Sequence, residues 1–393
     1  MHYKLRITSI LFIIFLTSCG SNTQKDDIQT FSLEEKKFVH TLFLSEYLWY
    51  EQVIQDIDYT SITSANQLMA TLRISPADTW SFSMTEQQYE NFANQKTVGF
   101  GFGYSQDFTL YLVRIDAPAY NKLLRGDKII KVNGLPVTRE SIVQASSKEG
   151  QETMFTVLRD TQEVNVNVTS SEYSFKVSLG EIIPHQSTNI GYLRYDSFTE
   201  SSVAELEKIF TRFKNTNISE LVIDLRYNGG GSIATASILL DNITNAYPGQ
   251  RQVYLDWNDN YKNKNASYTF ADLDLQDGNE LNMQRVIFLV TKNSASASEL
   301  IISALKPYLG DKNVITIGTE THGKPVGMSG RKYKDNFYFL VNFIVRNHNN
   351  ETTSFEGIPV TCEANDDFAY QRGDINEPML STALYYINNN RCP

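Results

Sequence analysis

The sequence is short of the residue types from which many cofactor and nucleic-acid sites are built. Three cysteines and five histidines occur in 393 residues, and none of them falls at a metal-ligand spacing, so no metal and no other cofactor is expected. Positive charge is also scarce. With 35 Lys and Arg against 45 Asp and Glu the formal net charge is −10, too little cationic surface to neutralise a phosphate backbone, and nucleic acid is excluded as a partner. Polybasic runs, heptad arrays and internal repeats are absent. The apolar run at 10–16 is too short to span a bilayer as a stable helix.

That short run has a use nevertheless. Lys4 and Arg6 precede it, as in a secretory signal peptide, and Leu16-Thr17-Ser18-Cys19 resembles a bacterial lipoprotein cleavage box. The resemblance implies a signal peptide at 1–18, lipidation of Cys19, and an anchored chain in a bacterial cell envelope at the outer membrane or periplasmic face. Each buried acyl CH₂ contributes roughly 0.8 kcal/mol to such an anchor. Residues 19–30 are small and polar and read as a tether. Export also permits a disulfide, so Cys362 and Cys392 are expected to pair and staple the C-terminal helix.

A chain of this length suggests two or three domains. Order is expected from Phe31, where Ser32 and Glu35 have capping-box spacing and Phe38, Leu42, Leu44, Leu48 and Trp49 share a helical face. Residues 31–95 therefore read as a small helical domain without a chemical motif, and Trp49, Tyr50 and Trp80 as packing aromatics. From residue 96 to 172 the pattern changes to short strands with glycine turns. Residues 173–393 alternate strand and helix. Ser202 and Glu205 have the spacing to cap a helix carrying Val203, Leu206, Ile209, Phe210 and Phe213, and strands are expected at 190–195, 221–225, 286–290, 314–317 and 337–345. A last helix is expected over 379–387, behind Pro378.

Two junctions carry chemistry. After the strand at 221–225 comes Arg226-Tyr227-Asn228-Gly229-Gly230-Gly231-Ser232 and a helix. Strand, glycine loop, helix also describes a phosphate cradle, but no Gly-Lys-Ser/Thr ending and no dinucleotide spacing is present. Exposed N–H groups of such a loop can face a developing oxyanion instead. After the strand at 286–290, Ser294, Ser296 and Ser298 alternate with Ala295 and Ala297 at a helix start, where unpaired N–H groups favour negative charge. Spacing does not rank the three serines. The strand at 314–317 then leads to His322 and Lys324, either of which can serve as the base, while Glu299 lies too close in sequence to turn back easily onto Ser296; Lys324 must be held well below the ordinary lysine value of about 10.4 to act near neutrality.

Taken together, SASASE at 294–299, Gly323-Lys324, DLRYNGGG at 224–231 and an upstream segment resemble the C-terminal processing, or tail-specific, peptidases over roughly residues 98–390. Upstream, GFGFGY at 99–104, TLYLVRI at 109–115 and APAYNKLLRGDKIIKVNG at 117–134 resemble a PDZ domain. The resemblance implies an α/β protease core, a mixed sheet with flanking helices of the crotonase/Clp-like superhelical kind, with an inserted PDZ-like β domain and the helical N-terminal domain. It implies Ser296 as nucleophile, Lys324 as general base, and the N–H groups of Ala297 and of Gly229 or Gly230 as the oxyanion hole. It also implies a carboxylate-binding loop at Gly99, Phe100, Gly101 and Phe102, or two residues later, that takes the free C-terminus of a protein substrate by strand addition. The sequence departs from the family where an acidic residue is replaced by Pro307 and a glutamine by Met328, which leaves the residue that orients the lysine unassigned. The alternative is a non-catalytic lipoprotein on the same scaffold that binds a peptide or an apolar ligand, as interphotoreceptor retinoid-binding protein does. A peptide-capturing adaptor with an autoinhibited protease domain is a third reading. Nothing in the sequence fixes an oligomeric state.

Overall fold

In the computed structural model the described residues are 31–186, 188–271, 273 and 278–393. The expected signal peptide, tether and lipidated Cys19 lie outside them. Eight α-helices are found among the described residues: α1 (Leu33–Ser45), α2 (Ala65–Leu72), α3 (Glu86–Ala93), α4 (Arg139–Ser146), α5 (Val203–Asn215), α6 (Ile233–Ile243), α7 (Ala297–Leu309) and α8 (Pro378–Asn389). The fold is mixed α/β with several sheets.

The central sheet has six strands in the order Ser178–His185, Thr188–Tyr195, Glu220–Asp224, Val286–Val290, Val314–Gly318, Cys362–Glu363. The first pair is antiparallel and every later pair is parallel. Parallel strands need covered faces, which is why these segments read as unbroken apolar runs. Alternation then sorts the side chains: Leu221, Ile223, Val286 and Phe288 pack beneath α5, α6 and α7 with Leu206, Leu240 and Ile301. Val222, Ile287, Leu289 and Ile315 point the other way, against Met379, Leu380 and Ala383 of α8. Because the middle strands run the same way, their C-terminal ends deliver the glycine loop, the serine run and the His322–Lys324 turn to one edge, where α/β folds place ligands.

A second sheet is built around the long strand Asn336–Asn347. Val326–Tyr333 pairs along one side of it, while Phe82–Thr85 and Arg251–Trp257 share the other, with Ala266–Thr269 beyond. The participation of Phe82–Thr85 corrects the expectation of a purely helical unit over 31–95. The packing agrees: Val39, Phe43, Leu68 and Met69 share one apolar cluster with Val326, Met328 and Phe339. Residues 31–93 thus bury their apolar face on the hairpin that follows Lys324. Ser32 does cap α1, accepting from the Glu35 N–H at 3.2 Å, but the Glu35 carboxylate turns away to the Tyr338 hydroxyl at 2.6 Å. The cap expected from Ser202 does not form. Its hydroxyl lies 2.7 Å from the Tyr195 hydroxyl, and Glu205 accepts from the Ser178 hydroxyl at 2.5 Å.

Between these parts, residues 96–174 form a β-rich insert closed by the pairing of Lys96–Gly99 with Ser171–Ser174. Its four-stranded sheet and α4 enclose Phe100, Leu110, Ile129, Ile142, Phe155 and Val168. Arg125 ties the insert to the core through Asp366 at 2.5 Å. Cys362 and Cys392 form a disulfide with a Cα–Cα distance of 5.5 Å, joining the edge strand to the segment after α8.

Candidate active site

Ser296 stands at the N-terminus of α7 with φ 58° and ψ −110°. A non-glycine residue in that region costs about 1–3 kcal/mol and persists only where neighbours over-determine it. The neighbours are identifiable. The Ala295 N–H donates to the Asn228 carbonyl at 3.1 Å, the His322 N–H donates to the Ser294 carbonyl at 2.9 Å, and the Ser296 N–H donates to Glu299 Oε2 at 2.8 Å.

The structure separates the three serines that spacing leaves equivalent. Ser294 Oγ donates to the Leu225 carbonyl and Ser298 Oγ to the Asn228 carbonyl, each at 2.8 Å, and both residues are fully buried. These two hydroxyls fasten the serine run to the glycine loop. Ser296 instead lines a pocket of about 380 Å³ that Lys324 lines with it. Ile233, Leu300, Val326 and Val345 give that pocket apolar walls.

Lys324 is 2 % exposed. Burial pushes its amine well below the ordinary lysine value, and the carboxylates of Asp78 and Glu299 pull it back only in part. Its Nζ lies 3.9 Å from Met328 Sδ and 5.5 Å from the centre of the Trp80 ring. His322, the other candidate base, is held elsewhere: its Nε2 accepts from Trp80 Nε1 at 3.3 Å and its Nδ1 lies 3.3 Å from the Lys292 carbonyl.

Gly230 has φ +109°, and a Cβ there would sit 3.0 Å from Ser296 Cβ and 3.2 Å from the Ala297 nitrogen. Only glycine lets the loop approach the serine so closely. The Gly230 N–H donates to Asn228 Oδ1 at 2.9 Å. Among the described residues the N–H groups of Gly229 and Ala297 have no acceptor. Asn228 is bracketed in turn, its Nδ2 donating to the Tyr195 carbonyl at 3.0 Å. Beneath it, buried Arg226 binds Asp224, Asp366 and both oxygens of Glu377. Burial alone would raise the Asp224 carboxyl, but Arg226 and Arg372 outweigh it and hold the group far below the usual carboxylate range.

Glu299 is the residue that sequence reasoning undervalued. Its buried carboxylate accepts four hydrogen bonds: from Thr321 Oγ1 at 2.6 Å, the Gly323 N–H at 2.7 Å, the Ser296 N–H at 2.8 Å and the Lys324 N–H at 2.9 Å. One side chain thus fixes the backbone of the serine and of the lysine together. The spacing Ser-x-x-Glu is a capping-box signal that could have flagged it. No local signal existed for Trp80, which is 242 residues from His322 in sequence.

The second expected site is a groove of about 570 Å³ on the insert, lined by Gly99, Phe100, Gly101, Phe102, Ile142 and Ser146 among others. The Phe100 and Gly101 N–H groups have no acceptor among the described residues. The Phe100 ring is buried against Phe155 at 4.9 Å, so only its backbone is available to a ligand.

Comparison with known proteins agrees with this architecture. The model of peptidase family S41 matches residues 189–363, which contain the glycine loop, the serine run and Lys324. A Staphylococcus aureus (strain COL) protein named "Probable CtpA-like serine protease" is 25% identical over 344 residues, 84% of this chain and 63% of its own length. The chain spans 40–63% of the staphylococcal relatives it matches first. Among solved structures, a Bacteroides fragilis NCTC 9343 chain put forward as an S41 protease superposes with a TM-score of 0.75 at 23% identity, over 90% of this chain and 97% of that one. Photosystem II D1 C-terminal processing protease superposes with a TM-score of 0.50 at 16% identity, over 84% and 93%. The serine run, the glycine loop and the buried lysine all lie inside the segment that is similar to peptidase family S41.

Proposed function

We propose that the protein is a serine endopeptidase that cleaves protein chains with exposed or unstructured C-terminal tails, using a Ser296–Lys324 dyad. The observation that carries this reading is the shared pocket: a serine in a strained elbow and a buried lysine line one apolar cavity beside two N–H groups without acceptors among the described residues. A neutral Lys324 takes the Ser296 proton as Oγ attacks a backbone carbonyl. Ala297 and Gly229 donate to the oxyanion, a contribution of about 10²–10³-fold per donor in kcat in comparable sites. The lysine then gives its proton to the leaving amine, and water resolves the acyl-enzyme by the same route.

The insert, residues 96–172, is proposed as a PDZ-like module that captures the substrate's terminal carboxylate with the N–H groups of Phe100 and Gly101 while the tail extends its sheet. An N-terminal lipid on Cys19 would hold the enzyme at a bacterial envelope membrane, where labelled palmitate incorporation tests it. For the dyad, the decisive assay is turnover of an unfolded casein by the chain, Ser296→Ala and Lys324→Ala. The reading expects cleavage products from the first alone. Equal activity in all three, or stoichiometric binding without products, refutes it.

A further inference from the structure

On the strand that follows Lys324, the Met328 sulfur lies 3.9 Å from its amine. The other side of the amine is covered from the opposite end of the chain. We infer that Trp80 is a positioning residue for Lys324, its indole roofing the amine and excluding water from it, so that the N-terminal segment completes the base; this rests on the Ser296–Lys324 reading.

The indole is fixed from two directions. On the backbone side, Asp78 Oδ1 accepts from the Trp80 N–H at 2.8 Å and the Ser81 N–H at 2.9 Å, while Asp78 Oδ2 accepts from the Tyr47 hydroxyl at 2.9 Å. Ser81 Oγ accepts from the Val341 N–H at 3.1 Å, and Phe82–Thr85 then joins the sheet. On the ring side, Nε1–H donates to His322 and the ring lies 6.1 Å from the half-exposed Phe355. A ring held this way can act on the amine through both protonation states. Excluding water disfavours the ammonium at rest, and the π face stabilises the ammonium once the serine proton has arrived. Other groups facing the amine include Asp78 from the same segment, Glu299 from α7 and the Met328 sulfur. His322 bonds the indole from its Nε1 edge.

The test uses the purified full chain and reduced, alkylated casein, with kcat and KM followed against pH. A neutral base gives activity that falls below its pKa, so a wetter amine moves the acid limb upward. Trp80→Ala is expected to raise that limb by about one pH unit, a tenfold loss of kcat at pH values below it, with KM changed less than about twofold and the thermal melt still cooperative. Trp80→Phe, which keeps a ring and loses the bond to His322, should leave the limb in place. Should Trp80→Ala fail to fold, Trp80→Leu carries the test, with the limb rising about half as far. An unmoved limb in a folded, active variant overturns the inference, and so does a His322→Ala variant that reproduces the full shift. If the unmodified chain cleaves no faster than Ser296→Ala at every pH, the dyad itself falls and takes the inference with it, which is a different result from an active enzyme indifferent to Trp80.

Discussion

Two neighbouring strand–loop–helix junctions in the central sheet begin their helices with a serine, and they behave differently. Ser232 precedes α6 with φ −68° and ψ 128°, and its hydroxyl accepts from the Thr235 N–H at 3.3 Å, an ordinary cap. Ser296 precedes α7 with a positive φ, and there the capping work falls to Glu299, which takes the serine's own N–H. At the first junction the hydroxyl is consumed by the helix. At the second, a carboxylate takes the serine's N–H and the serine lines a pocket. The identity of the N-cap residue therefore says little about chemistry. The acid three residues later, and what else it binds, says more.

The largest effects should come from breaking the pocket side of this contrast. Ser296→Ala is expected to lower kcat on unfolded casein by about 10⁴–10⁶-fold. Lys324→Met should do the same and also raise the melting temperature by a few degrees, because the folded amine is held low and the unfolded chain binds the extra proton. Stability of the unmodified protein should accordingly rise with pH toward the unfolded lysine value of about 10.4, and this slope should vanish in Lys324→Met urea titrations. Glu299→Gln is next. Its amide accepts at one atom only, so either the Thr321 and Gly323 donors at Oε1 or the Ser296 and Lys324 donors at Oε2 meet an NH₂ group instead of an acceptor, and a fall of about 10²-fold in kcat is expected for a displacement on the order of 1 Å. Circular dichroism should show it still folded. Gly230→Ala should reduce kcat about tenfold or more through the contact with Ser296, read in the same assay. Smallest is Ser232→Ala, expected to cost about 1 kcal/mol of stability in urea and to leave kcat unchanged.

How far the sequence revealed this arrangement depended on whether the signal was local. The strands expected at 190–195, 221–225, 286–290, 314–317 and 337–345 and the helix at 379–387 follow from apolar periodicity, and their bounds differ from expectation by a residue or two; the strands Ser178–His185, Arg251–Trp257, Ala266–Thr269 and Val326–Tyr333 were not expected. The glycine loop and the serine run were visible as motifs, and Lys324 as a candidate. Ranking the serines was out of reach, because what separates Ser296 from Ser294 and Ser298 is a pair of bonds to the carbonyls of Leu225 and Asn228 on another strand's loop. Gly230 and Gly229 were likewise equivalent until Asn228 was seen to occupy one of them. Trp80 looked like any packing aromatic, since the partners that give it meaning lie at the far end of the chain. The strand Phe82–Thr85 was missed because it is four residues long and its pairing partner is remote.

That remoteness has a bearing on how the molecule comes into being. The segment before the insert lies on a hairpin that is synthesised only after Lys324. On the dyad and Trp80 readings, the base is complete only when both have emerged and packed, so a nascent polypeptide would not digest itself.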